Sequence, residues 1–266
     1  MLMKRFKTIA AFGLISAMIL TFTACGSQVP KNTVFSADDL PGKTIGVQLG
    51  TTGDIYASDY EKEGSKLERF NKTADAVQAL KQGKIDCIII DEAPAKIFVE
   101  NNDGLTILEE PFELEDYAIC VSKEKSELTA SINEALATLK SSGTLDKIIA
   151  NYIGDDTAGS FKYKSTNTDY SNGKLVMATE AGFPPYEFME NGVITGIDVD
   201  MAQAVADILK KELVIEDMAF DSIIAAVQSG KADIGVAGMT VTEERLANVD
   251  FTDPYTTATQ VIIVRK

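Results

Sequence analysis

Val77-Gln78-Ala79-Leu80-Lys81-Gln82-Gly83-Lys84-Ile85-Asp86-Cys87 and Ile224-Ala225-Ala226-Val227-Gln228-Ser229-Gly230-Lys231-Ala232-Asp233-Ile234 match at a single offset. Each copy has an amphipathic helical period, a Gly-Lys-x-Asp corner and an apolar run that reads as a buried strand. Ile85 to Ile90 is the first of these strands, and Ala232 to Gly235 the second. Asp91 in the first copy then falls opposite Gly238 in the second. The repeat predicts two similar α/β lobes facing each other, with the site in the crevice at the strand ends.

The stretch beyond the second strand carries chemistry. In Val236-Ala237-Gly238-Met239-Thr240-Val241-Thr242-Glu243-Glu244-Arg245 the pattern turns from strand to helix. Thr240 or Thr242 can cap the helix start. Such a junction leaves backbone N–H groups pointing at one spot, and they suit an anion. Arg245 falls in the first turn, where the helix dipole disfavours a cation. An anionic partner accounts for it, since the guanidinium fork matches a carboxylate at two points. A capped helix with a solvated Arg is the plain alternative.

Two further junctions have the same form. Strand Lys43 to Leu49 runs through Gly50-Thr51-Thr52-Gly53-Asp54 into a helix. Strand Ile85 to Ile90 ends at Asp91-Glu92-Ala93-Pro94, which puts a carboxylate where open α/β sheets place ligands. The alternative for Asp91 is a cap on the next helix. Strand Lys174 to Thr179 leads into Glu180-Ala181-Gly182-Phe183-Pro184-Pro185-Tyr186-Glu187-Phe188. The two prolines stiffen this loop, which presents Glu180 and Phe183, while Tyr186 and Phe188 read as core. Asn191-Gly192 marks a hairpin turn. Next come a helix over 197–211, a strand over 213–218 and a helix opened by Phe220. Residues 109–116 read as an acidic crossing segment, 117–121 as a strand, and 154–173 as a linker. The apolar run from Gln260 to Lys266 reads as a strand that must pair inside a sheet.

Composition bounds the function. The chain has 266 residues, 45% hydrophobic, enough for a large core or two lobes. A formal charge of −15 argues against a nucleic-acid partner, because phosphate binding needs a basic face. With no His, neither Ser-His-Asp nor Cys-His catalysis can be built, and the commonest metal ligand is missing. Cys25, Cys87 and Cys120 show no CxxC spacing, so no metal or redox cofactor is expected.

The N-terminus reads as a targeting segment. A basic start at residues 1–7, an apolar run from Thr8 to Leu20 and small residues before Cys25 mark export. The segment resembles a bacterial lipoprotein signal spanning residues 1–24, which implies a lipidated Cys25. Phe22 stands where that signal usually has Leu. An uncleaved anchor is the alternative, but the apolar run is short for a membrane span. Residues 25–37 then read as a tether.

Ala178-Thr179-Glu180-Ala181-Gly182-Phe183-Pro184-Pro185, Gly196-Ile197-Asp198-Val199-Asp200, Ala237 to Arg245 with Asp250-Phe251-Thr252-Asp253-Pro254-Tyr255, and Gly46 to Gly53 together resemble the polar amino-acid-binding proteins of ABC importers, solute-binding protein family 3. The resemblance covers nearly all of residues 36–266. It implies the type II periplasmic-binding-protein fold, with two α/β lobes and a two-segment hinge around a central cleft. The order of the segments is reversed relative to the family, which implies a circular permutation with residues 154–173 joining the usual termini. Lobe 2 is then 38–113, completed by 261–266, and lobe 1 is 114–260. The two crossings between lobes are expected near 112–117 and 255–260.

The resemblance also implies roles. Arg245, with Thr240 and Thr52, would hold the ligand α-carboxylate. Asp91 and the Gly238 carbonyl would hold the α-ammonium. Phe183 and Phe220 would sandwich the side chain, with Glu180 and Gln48 at its tip. Glu180 among acidic neighbours favours arginine or lysine, and an aromatic sandwich suits a guanidinium. Glutamine or another polar amino acid is the alternative. The implied partners are an ABC permease and, through Cys25, the extracytoplasmic face of the membrane, with the protein a monomer. Two other classes stay open: an enzyme resembling the cyclohexadienyl dehydratases on the same scaffold, and a ligand-sensing module.

Overall fold

A computed structural model describes residues 29–154 and 156–266, so the residues read as a signal segment, and Cys25, lie outside it. The first lobe to form along the chain holds β1 (Thr44–Gln48), α1 (Thr52–Asp59), β2 (Lys66–Phe70) and α2 (Thr73–Lys81). It continues with β3 (Cys87–Asp91), α3 (Glu92–Glu100) and β4 (Leu105–Ile107). A crossing strand, β5 (Glu113–Tyr117), leads into β6 (Cys120–Val121), α4 (Ser126–Ser141) and α5 (Thr144–Tyr152). After the 154–173 segment come β7 (Lys174–Thr179), a small three-stranded sheet of β8 (Gly182–Phe183), β9 (Glu187–Glu190) and β10 (Val193–Thr195), and α6 (Ile197–Ile208). The chain ends with β11 (Glu212–Asp217), α7 (Ile223–Gln228), β12 (Ile234–Gly235), α8 (Glu243–Asn248), β13 (Asp250–Phe251) and β14 (Thr256–Arg265).

Two sheets share one strand order. The first runs β2-β1-β3-β14-β4, and the second β11-β7-β12-β6-β13. The repeated helix–corner–strand units therefore occupy equivalent places, α2–β3 in one sheet and α7–β12 in the other. The Gly-Lys-x-Asp corner has a physical cause. Gly83 and Gly230 end their helices at φ of 71° and 75°, a region that glycine enters without strain. Three residues on, Asp86 accepts from the Thr44 backbone N–H and Asp233 from that of Val176, each at 2.8 Å. Each Asp thus ties the incoming strand to the central strand beside it.

Mixed α/β architecture results from the apolar runs. Every residue of β3 is buried, as expected of a strand covered on both faces. Asn191 and Gly192 both take positive φ, 51° and 81°, the geometry of the hairpin turn their sequence calls for.

Several expectations are corrected. The run expected to start at Gln260 is the last half of a ten-residue strand, β14. Its first half pairs antiparallel with β5, from Thr256↔Tyr117 to Gln260↔Glu113. Its second half lies between β3 and β4. The acidic crossing segment is therefore partly a strand, whose backbone groups are satisfied by the other crossing. Residues 117–121 do not form one strand, because the Ala118 N–H turns to the Met239 carbonyl as the chain changes sheets. The helix expected to reach residue 211 stops at Ile208, since Lys210 takes φ 57°. The loop over 180–188 contains the short strand β8 and the start of β9.

The stretch read as a tether is docked from residue 29 onward. Val34 is fully buried with Leu40 and Ile45. The Pro30 carbonyl accepts from Arg265 Nε at 3.1 Å. The described residues of the 154–173 segment form no helix or strand, yet Tyr163 lies against α6, its hydroxyl donating to Asp207 and its N–H to Asp200.

Arg265 fastens this end of the protein. It is buried, and its Nη1 donates to the Leu80 and Ile85 carbonyls at 2.9 and 2.5 Å. Arg265→Met should leave those carbonyls and the Pro30 carbonyl without their donor. A loss of roughly 3–5 kcal/mol is expected in urea unfolding, with earlier proteolysis near residue 30.

Candidate functional site

The strand ends of the two sheets face each other across a narrow cleft shut down to a free volume of about 10 Å³. Gln48, Thr52 and Asp91 line it from the β1–β3 side. Glu180, Phe183, Phe220, Gly238, Thr240 and Arg245 line it from the other. All nine residues singled out from the sequence thus border one space. Arg245 and Phe220 also border a larger, open recess outside it, of about 330 Å³, so they stand at the partition between the two.

Arg245 is 6% exposed. Thr242 caps α8 by accepting from the Arg245 N–H at 3.2 Å, which sets the residue in the first turn with its side chain directed inward. Nη1 donates to the Thr240 carbonyl at 2.7 Å, and Nη2 donates across the cleft to the Gly50 carbonyl at 2.9 Å. The guanidinium lies 5.4 Å from the centre of the Phe220 ring. Among the described residues, no carboxylate lies within 4.0 Å of it. Burial pulls its pKa down, while Glu115 and Asp91 act in the opposite direction. A guanidinium has five N–H donors, so those not spent on carbonyls can still meet an anion. The strand-to-helix pattern alone assigns the helix start a share in anion binding. In α8 the Arg245 N–H is already taken by Thr242, and the guanidinium adds a full positive charge beside the remaining N–H groups.

Asp91 closes β3 on the opposite wall, 7% exposed. It sits at the N-cap position of α3 but makes no side-chain capping bond. Its Oδ1 accepts instead from the Tyr117 hydroxyl. Burial first, and the charge of Glu115 second, push this carboxyl up to about 7. Glu180 is also buried, and desolvation raises its pKa. Gln48 Nε2 reaches Glu180 Oε2 at 3.3 Å from the other lobe, and Thr73 donates to Gln48 Oε1 at 3.0 Å. The cleft is therefore closed by at least two direct bonds between lobes, Gln48–Glu180 and Arg245–Gly50.

Phe183 stacks on Tyr186, with ring centres 5.9 Å apart, and Phe220 on Arg245. The Gly238 N–H donates to Asp198 Oδ2 at 2.8 Å, which fixes the turn that brings this glycine to the cavity wall.

Several residues that shape the site went unrecognised in the sequence. Thr51 and Glu187 also line the cavity. Glu187 is fully buried, and its burial and the neighbouring Asp198 push its carboxyl well up, which favours the neutral acid. Tyr117, Glu115 and Gln260 lie on the crossing strands. The residue pattern along β5 carried no signal for Glu115, since apolar Leu114 is exposed and the charged Glu115 beside it is buried. Among the described residues, no group of three or more Cys, Asp or Glu could hold a metal ion. The arrangement offers one cationic and several acidic groups, so its chemistry is the pairing of opposite charges in a small solute.

A profile of the bacterial extracellular solute-binding proteins, family 3, matches residues 175–266. The arginine-binding extracellular protein ArtP of Bacillus subtilis is 40% identical over 104 residues, 38% of this chain and 41% of that protein. The L-cystine-binding protein TcyJ of Escherichia coli is 29% identical over 127 residues, 47% of each. This chain thus spans less than half the length of these curated relatives. Among solved structures, an ancestral arginine-binding protein bound to arginine is 52% identical over 32% of this chain and 38% of that one, with a TM-score of 0.31. The arginine-bound domain 1 of TmArgBP is 43% identical over 36% of this chain and 82% of that one, with a TM-score of 0.32. Residues 175–266 are thus similar to the bacterial extracellular solute-binding proteins, family 3.

Proposed function

We propose that this protein captures a free amino acid with a cationic side chain, arginine or lysine, in the cleft between its lobes and delivers it unchanged to an ABC permease. The observation that carries this reading is Arg245, a buried guanidinium with no carboxylate within salt-bridge distance among the described residues, lining the same narrow cavity as the buried carboxylates Asp91 and Glu180. A buried charge without a counter-charge is costly unless a ligand completes it. In the proposed complex the α-carboxylate lies on Arg245 near Thr52 and Thr240. The α-ammonium lies on Asp91 and Gly238, and the side chain runs between Phe183 and Phe220 toward Glu180 and Gln48. No catalytic step is needed, because the site holds the zwitterion by charge and shape alone. Arginine-binding relatives support the ligand class.

The proposal extends to location and ancestry. Cys25 would carry a lipid that keeps the protein on the outer face of the membrane. The order of the lobes would be a circular permutation of the family's. The matched segment lies in the last third of the chain, where a swapped order puts the family's opening half. The shared strand order of the two sheets is compatible with either order of synthesis.

Calorimetric titration of ligand-free protein with the common amino acids tests the reading. Arginine or lysine should bind, and Glu180→Ala should lose them selectively. Unchanged binding by that variant would remove the basis for a cationic ligand. Arg245→Ala should weaken any amino acid by roughly a hundredfold or more, the equivalent of about 3–5 kcal/mol.

The Asp91 carboxyl supplies a pH test. Its pKa near 7 in the empty site lies above the unfolded value, and a bound ammonium favours its ionised form. Affinity should therefore rise with pH and level off above about 7, falling up to roughly tenfold per pH unit below that. Binding at pH 6 should release a proton, read as a dependence of the calorimetric heat on buffer. For folding without ligand the sign is opposite. The stability linked to this raised pKa is full below about 4 and is lost as pH rises through about 7. Tyr117→Phe removes the donor to Asp91, so the midpoint of the affinity profile should move upward.

A further inference from the structure

We propose that Glu115 is a positioning residue that holds the Thr240 hydroxyl in the empty closed cleft and must release it to the ligand. This rests on the amino-acid-binding reading and adds a component that none of the residues assigned from the sequence supplies.

Glu115 is 4% exposed, on the first crossing strand. Its Oε2 accepts from Thr240 Oγ1 at 2.8 Å and from Gln260 Nε2 at 3.1 Å. Gln260 Nε2 also reaches Thr52 Oγ1 at 3.3 Å. The result is a chain, Thr52–Gln260–Glu115–Thr240, passing through both crossing strands. Its two ends line the cavity from opposite lobes. Among the described residues, Glu115 Oε1 and Gln260 Oε1 are buried acceptors without a donor. The chain is thus short of protons, and its donors are contested.

A threonine hydroxyl has one proton to donate. While Glu115 holds it, Thr240 offers only lone pairs to the cavity. A carboxylate arriving at Arg245 would meet those lone pairs. For Thr240 to assist Arg245, its proton must turn from Glu115 to the ligand. Glu115 therefore stabilises the cleft when it is shut and empty, and competes with every ligand carboxylate whatever its side chain. An empty closed state lowers apparent affinity by the fraction of protein it occupies.

Glu115→Gln keeps the shape but replaces the carboxylate by a weaker, uncharged acceptor. Its affinity for arginine and for citrulline, the neutral isostere, should rise together by roughly tenfold. Measured well above pH 7, where Asp91 is ionised with or without the Glu115 charge, the same change in a Thr240→Val background should do nothing, because the proton in contention is gone. Small-angle X-ray scattering of ligand-free protein should show a larger radius of gyration for Glu115→Gln than for the parent. A selective loss of arginine, or an equal effect in the Thr240→Val background, would overturn the role. If the parent binds neither compound, the functional reading fails, and scattering still decides whether Glu115 holds the cleft shut. If the parent binds and Glu115→Gln matches it in affinity and in radius, only the role of Glu115 falls.

Discussion

A guanidinium taken out of water without an opposite charge beside it is the constraint on which the cleft depends. Arg245 stays buried because two carbonyls, one from each lobe, receive its N–H groups. Carbonyl dipoles only partly replace hydration, so the residual positive charge remains available to an anion. The acids on the opposite wall answer to the same constraint. They are spaced so that none neutralises Arg245 by direct contact, and burial raises the pKa of Asp91 and Glu180. A cleft of this kind can exchange internal polar contacts for those of a charged solute.

The crossing strands make that exchange mechanical. β5 and the first half of β14 are hydrogen-bonded to each other, so the lobes are joined by a two-stranded ribbon. Residues on that ribbon, Glu115, Tyr117 and Gln260, touch the side chains that line the cavity. A shift of the ribbon and a change in cavity chemistry are therefore the same event. No signal carried over distance is needed between this ribbon and the site, since the ribbon is bonded directly to residues that line it.

The ends of the described chain reinforce one lobe. Arg265 binds carbonyls of Leu80 and Ile85 on one side and of Pro30 on the other. Entry and exit of the chain are thus fastened together at the end of the first sheet remote from the cleft. Both strands that border the cleft, β1 and β3, are fastened at that end, and their C-terminal ends shape the cleft. Asp86 belongs to the same corner, where it accepts from the Thr44 N–H.

Much of this was legible in the amino-acid order. The doubled Gly-Lys-x-Asp corner announced two equivalent α/β units, because a glycine that ends a helix and an aspartate that fastens the next strand act through local geometry. The residues at strand ends, from Gln48 and Thr52 through Asp91 to Glu180 and Arg245, could be named because a strand-to-helix junction presents them whatever the rest of the chain does. What only the tertiary structure decided was who touches whom across the cleft. Glu115 looked like one solvated acid among several until pairing between the crossings turned it inward. Gln260 looked like the start of an apolar strand, and Val34 like part of a tether. Each of these depends on contacts between residues more than a hundred apart or on packing by a distant element, and local periodicity carries no record of such partners.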